Sequence, residues 1–210
     1  MSKGIIGKKI GMTQIFDGAG RVIPVTVVEA GPCFVIQVKS EKTDGYNSIQ
    51  LGFSEKASRK LLKPEAGHLA KAGITDKGFY YVKEFRVSAE ELASYQQGGK
   101  VELNAFSAGE KVKVTGFSKG RGFAGVIKRH GQHQGPNTHG GRMHRTGGSI
   151  GATTSPGRVF KNMPMAGRMG CDRVTIRDVE IVGFLPDRNQ MLLKGPLPGH
   201  PNGIVYISNN

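Results

Sequence analysis

Apolar and polar residues alternate in short bursts along this chain and do not recur every three or four positions. Runs at Val22–Val28, Cys33–Val38, Ser48–Phe53, Phe79–Phe85 and Val101–Thr115 are rich in β-branched and aromatic side chains and are bounded by Gly, Pro or Asp. That pattern predicts β-strands. Gly31-Pro32 and Asp44-Gly45 supply turn signals between them. A second group follows much later. Arg173–Val182 carries Val174, Ile176, Val179 and Ile181, and Met191–Leu193 and Ile204–Ile207 complete it, with Asp187–Asn189 as a hairpin turn. Helix is expected in three places only: Glu55–Leu62, Pro64–Ala72, and after Ser88, where Ser88-Ala89-Glu90-Glu91 has capping-box spacing ahead of Leu92. Many short strands with turn punctuation predict a mainly β fold, a barrel or a sandwich.

Between the two groups the pattern stops. From Phe117 to Met169 there is no Asp or Glu, while Lys119, Arg121, Lys128, Arg129, Arg142, Arg145, Arg158, Lys161 and Arg168 all fall there. The net charge of the 210 residues is +14, and this block alone supplies nine positive charges. A surface normally mixes both signs, and a long single-sign block repels itself unless something neutralises it. A disordered basic linker would share this composition. Against that reading, the block holds Phe123, Val126, Ile127, Ile150, Val159, Phe160 and several Met, and its glycines alternate with the turn residues Pro136, Asn137, Pro156 and Pro164. It reads as a segment that orders on a partner. The simplest organisation is a β-barrel core with small helical insertions, built from residues 1–116 and 171–210, with residues 117–170 as a basic, glycine-rich extension.

The charge points to a polyanion as that partner, chiefly nucleic acid. A membrane partner is not expected, because no stretch is apolar and long enough to span a bilayer and no basic amphipathic helix is visible. The opening MSKGIIGKKIGMTQIF does not read as a secretory signal. Cys33 and Cys171 stand far apart without a CxxC context and read as reduced, buried thiols of a cytoplasmic protein.

Three chemical readings compete with nucleic-acid binding. Gly120-Arg121-Gly122-Phe123-Ala124-Gly125 matches G-x-G-x-x-G, but dinucleotide binding also needs an opening helix and an acid about 20 residues on, and no acid is near. Glycines beside Lys119 and Arg121 suit close backbone approach to a phosphate chain better. His130, His133, His139 and His144 crowd one region, yet their spacing is irregular and the surroundings are Arg-rich, so phosphate bonding or base stacking is expected in place of a metal. Asp178 and Glu180 alternate with apolar residues and read as the solvated face of a strand. No catalytic constellation emerges, and no enzyme activity, cofactor or metal is expected.

The run Lys119-Gly-Arg-Gly-Phe-Ala-Gly-Val-Ile-Lys-Arg129 is followed by Thr138-His-Gly140, His144-Arg145, Gly148-Ser-Ile-Gly151, Pro156-Gly-Arg-Val-Phe-Lys161 and Met165-Ala-Gly-Arg-Met-Gly170. Together these closely resemble the bacterial ribosomal protein L3 (uL3) family. Gly4-Ile-Ile-Gly-Lys-Lys-Ile-Gly-Met-Thr-Gln14 resembles the family's opening, and Leu193-Lys-Gly195 with Pro198-Gly199 its closing hairpin. The resemblance spans essentially the whole chain. It implies a translation-protein-type β-barrel with an internal extension that threads large-subunit ribosomal RNA toward the peptidyl transferase centre. It also implies a role in early subunit assembly, contacts with neighbouring large-subunit proteins, and a place in the cytoplasmic ribosome. The side chains expected against RNA are Lys8, Lys9, Lys119, Arg121, Lys128, Arg129, His130, His133, His139, Arg142, His144, Arg145, Arg158, Lys161 and Arg168. The tip expected near the catalytic centre is Gly147, Gly148, Ser149, Ile150, Gly151 and Ala152. Many bacterial members carry a methylated glutamine directly after the Gly-Ser-Ile-Gly run; here that position is Ala152, which has no amide to modify.

Overall fold

The structure, a computed structural model, describes residues 3–209; the outermost residues of the expected core, 1–2 and 210, lie outside them. The chain divides into two compact units, one of residues 1–117 with 173–210 and one spanning Ser118–Asp172.

In the first unit six antiparallel strands pair in a ring. These are β1 (Gly4–Phe16), β2 (Val22–Ala30), β7 (Lys111–Phe117), β10 (Arg173–Leu185), β11 (Gln190–Lys194) and β12 (Ile204–Asn209). The order β1-β12-β7-β10-β11-β2 closes on itself through β1–β2 pairing, so no edge of this sheet is left open. Closure follows from period-2 patterning: Ile5, Val25, Val28, Val112, Val114, Ile181, Met191, Leu193, Val205 and Ile207 are fully buried. β1 runs through glycines because its neighbours fill their space. A Cβ on Gly7 would lie 2.6 Å from Val28 Cγ1, and one on Gly4 would run into the Phe85 ring.

Residues between Cys33 and Val101 do not join the ring, contrary to the single barrel core expected from both chain ends. They form their own four-stranded sheet, in the order β5 (Lys77–Arg86), β4 (Ser48–Ala57), β3 (Cys33–Lys39) and β6 (Lys100–Val101). Phe34 and Phe79 stack in it with ring centroids 5.3 Å apart. The short helices α1 (Glu41–Asp44), α2 (Lys63–Ala70) and α3 (Ala89–Leu92) connect its strands. Ser88 caps α3 as its spacing predicts: its Oγ accepts from the Glu91 N–H and the Glu91 carboxylate accepts from the Ser88 N–H.

Two sequence expectations are corrected. Glu55–Leu62 is not a helix: β4 continues to Ala57, paired with Lys77, and a 3-10 turn follows. Strand pairing overrides the local helical preference there. Val101–Thr115 is not one strand but β6, a 3-10 turn at Leu103–Ala105, and β7. Gly109 at φ +82 helps turn the chain between them.

Candidate nucleic-acid interface

The second unit is built with almost no core. Of residues 118–172 only Ala124 and Val126 are buried. Its root is a pair of bonds between its ends: Ser118 N–H donates to the Asp172 carbonyl (2.9 Å) and Asp172 N–H to Ser118 Oγ (3.1 Å). Two three-residue strands follow, β8 (Gly122–Ala124) and β9 (Gly167–Met169), paired antiparallel. At Gly170, φ is +79 and a Cβ would run into the Lys119 carbonyl, so only glycine fits where the strands close. The short helix α4 (Val126–His130) starts after Gly125 and ends at Gly131, which is left-handed. The G-x-G-x-x-G run therefore does open a helix, though one of five residues with no acid following it.

Beyond α4, side chains fasten backbone to backbone. Arg129 Nη1 and His130 Nε2 both donate to the Met165 carbonyl, at 2.9 and 3.0 Å, tying the helix to the returning chain. His144 Nδ1 donates to the Pro136 carbonyl (3.0 Å), Gly135 N–H to the His144 carbonyl (3.0 Å), and Arg145 Nη1 to Gln134 Oε1 (3.3 Å). At the tip, Ser149 Oγ donates to the Gly151 carbonyl and accepts from its N–H, while Gly148 takes φ +71. Arg158 stacks its guanidinium 5.7 Å from the Phe160 ring centre.

The expected RNA-facing residues of this unit are all exposed: Lys119, Arg121, Lys128, Arg129, His130, His133, His139, Arg142, His144, Arg145, Arg158, Lys161 and Arg168. So are the tip residues Gly147, Gly148, Ser149, Ile150, Gly151 and Ala152. Arg129, His130, His144 and Arg145 hold the fold of the unit through the bonds just described. In the first unit cations meet carboxylates: Lys39 with Glu84 (2.7 Å), Lys56 with Glu65 (3.0 Å), Lys194 with Glu180 (2.7 Å), and Lys77 with Glu55. Among the described residues no cation of the second unit has an ion-pair partner within it, and its sole acid is Asp172. Nor do any three His, Cys, Asp or Glu side chains gather as a metal-binding group among the described residues.

Lys9 departs from its expected role. It is 7% exposed, and its Nζ donates to the carbonyls of Leu197 (2.8 Å) and Gly199 (3.3 Å). Lys8 and Lys9 are strand neighbours and so point to opposite faces; Lys9 takes the inner one. Cys171, expected to be buried, is exposed, whereas Cys33 is buried and its thiol is pushed up to about 12 by desolvation. The unit's apolar side chains also face outward, which no pattern in the sequence signals: Phe123 is 81% exposed, Met143 69% and Phe160 58%. Exposed aromatic and sulfur side chains among arginines are suited to stacking on bases.

Among the described residues no helix is long and apolar enough to cross a membrane. A family model described as ribosomal protein L3 matches residues 77–184. Curated relatives match over nearly the full length of both chains. Large ribosomal subunit protein uL3 of Desulforapulum autotrophicum is 53% identical over 99% of this chain and 98% of its own. Proteins of the same name from Synechococcus sp. and Desulfitobacterium hafniense are 50% and 49% identical, each over 99% of this chain and over 96% and 95% of their own lengths.

Proposed function

This chain belongs to the ribosomal protein L3 (uL3) family, and from that premise we propose that it binds large-subunit ribosomal RNA through Ser118–Asp172. It is a structural constituent of the large ribosomal subunit. On our reading its first unit is a translation-protein-type β-barrel body, and its second unit organises RNA near the peptidyl transferase centre during early assembly. RNA and neighbouring large-subunit proteins are its partners in the cytoplasmic ribosome, and it performs no chemistry itself.

The observation that carries this reading is a unit with nine cations, no ion pair of its own among the described residues, and two buried side chains. Holding each backbone residue in place costs about 1–2 kcal/mol in conformational entropy. Burial inside the unit cannot offset that over so many residues, and repulsion between like charges adds to the cost. A phosphate chain supplies both missing elements. Its charges replace the absent carboxylates and release counterions, and its bases cover the exposed Phe123, Met143 and Phe160 faces. The bare backbone at Gly148, with open space where a Cβ would stand, allows approach without a side chain in the way.

Sedimentation of the tagged protein through a high-salt gradient tests the reading. It should travel with large subunits and remain there after a wash that strips loosely bound proteins. Recovery at the top of the gradient, free of subunits, would refute it.

A further inference from the structure

A second basic site lies in the first unit, away from the segment just described in sequence. A cavity of about 430 Å³ is lined by Lys3, Lys83, Arg86, Lys113 and Arg173. These cations come from separate places: Lys3 precedes β1, Lys83 and Arg86 are in β5, Lys113 in β7 and Arg173 in β10. The wall between them is regular sheet. Lys113 pairs with Ser208 and Thr115 with Tyr206, so two rungs of the β7–β12 ladder place a cation, two hydroxyls and a phenol along it.

The lining contains one acid, Glu84, and its charge is already satisfied. Lys39 Nζ lies 2.7 Å from its carboxylate and Tyr46 OH 2.9 Å, and these contacts, Lys39 foremost, hold the carboxyl below its ordinary range. Lys3 has Glu110 at 4.0 Å. Among the described residues no carboxylate stands within ion-pair distance of Lys83, Arg86, Lys113 or Arg173. Lys83 sits 5.7 Å from the ring centre of Tyr206. Burial raises the Tyr206 phenol, so it stays protonated and available as a donor.

We propose that this cavity is a second RNA site, which takes a phosphodiester of folded ribosomal RNA between Lys83, Arg86, Lys113 and Arg173, with Tyr206, Thr115 and Ser208 bonding its sugar or phosphate oxygens. The proposal rests on the reading that the protein binds ribosomal RNA. The volume falls in the range of pockets that enclose a small molecule, enough for a nucleotide unit. Arg, Lys, Ser, Thr and Tyr are also the side chains that contact nucleic-acid backbones. An acidic segment of a neighbouring protein would satisfy the cations. It would have less use for a pocket lined by hydroxyls and an aromatic ring.

The test uses the full chain and protein-free large-subunit ribosomal RNA as probe. Lys113→Gln with Arg173→Gln is compared with Lys42→Gln with Lys71→Gln, a pair of exposed lysines outside the cavity. The cavity variant should lower the steepness of log K against log salt by about 1–2 relative to wild type, and the control pair should leave it unchanged. Ultraviolet crosslinking of the unmutated complex with mass spectrometry supplies a reading independent of any folding defect. It should place nucleotide adducts on Lys83, Lys113 or Tyr206. If the wild type binds RNA steeply while the cavity variant matches the control and no adduct maps to the cavity, the second site is wrong and the first reading stands. Crosslinks from the cavity only to protein in intact subunits would likewise overturn it. If the wild type shows no salt-dependent RNA binding, both readings fall together.

Discussion

Replacing Lys9 with Met tests where the opening lysines point. Lys9 is almost sealed, and its ammonium spans two carbonyls, at Leu197 and Gly199, that lie some 190 positions along the chain. Met retains the methylene stem and removes the charge. A hydrogen bond to a charged group contributes about 1.5–3 kcal/mol, and a buried acceptor left without a donor costs about 1–3 kcal/mol. The contact at 3.3 Å is the weaker of the two, and removing a buried ammonium recovers part of its desolvation cost. The net loss should be about 2 kcal/mol. For a protein of this size each kcal/mol shifts the melting midpoint by about 2–4 °C, so the variant should melt about 4–8 °C lower. Thermal melting by circular dichroism reads this directly. RNA affinity of the folded variant, measured well below the midpoint, should equal wild type. Unchanged melting with weakened RNA binding would show that Lys9 faces the RNA and that its inward bonds are not its role.

Binding of the free protein to a large-subunit RNA fragment should weaken steeply with salt, log K falling by roughly 0.7–0.9 per phosphate neutralised; a flat titration would contradict the electrostatic account. Replacing residues 119–171 with a short Gly/Ser linker should leave a cooperatively unfolding β protein, because Phe117 and Arg173 are paired across β7 and β10 and the gap to bridge is one strand spacing; loss of the cooperative transition would tie the second unit into the core. In native protein one thiol, Cys171, should react with iodoacetamide and Cys33 should not, whereas both react in urea. Since Cys33 is raised in the folded state from its ordinary 9.0 to about 12, its contribution to stability is constant below pH 9 and lost as pH climbs from 9 towards 12. Gly148→Asp meets open space but needs φ +71, so its effect should come from charge and backbone strain: altered peptidyl transfer or drug response in subunits that still assemble, against an inert Lys63→Asp control.

The strands from β2 to β5 and β10 to β12 were legible because β-branched runs end in turn residues. The basic block was legible because charge segregation is a property of sequence order. β1 was not, since Gly4, Gly7 and Gly11 break the apolar run; their reason lies across the fold, in the Phe85 and Val28 side chains that pack on two of them. The helix expected at Glu55–Leu62 failed because β5 offered β4 a longer ladder. Lys8 and Lys9 look alike in sequence, and only strand alternation next to the irregular pairing between Lys9 and Gly11 separates them. The cavity cations were invisible for a different reason. Outside the basic block the remaining positive residues are interspersed with negative ones, and only the fold brings Lys83 of the four-stranded sheet to one cavity with Lys3 and with Lys113 and Arg173 of the ring.

The order of the ring also dictates a schedule during synthesis. β12 is the last strand among the described residues, and it pairs with both β1 and β7. The sheet of β3 to β6 is complete in sequence by Val101 and can form while the chain is still growing. The ring cannot. Until Ile204–Asn209 leaves the ribosome that makes it, β1 and β7 each present an unpaired edge, and the basic segment is already outside. A nascent chain of this protein therefore offers its clustered cations before its body is shut. Capture of that segment by a polyanion or by a protective partner in that interval would shield those edges as well as the charge.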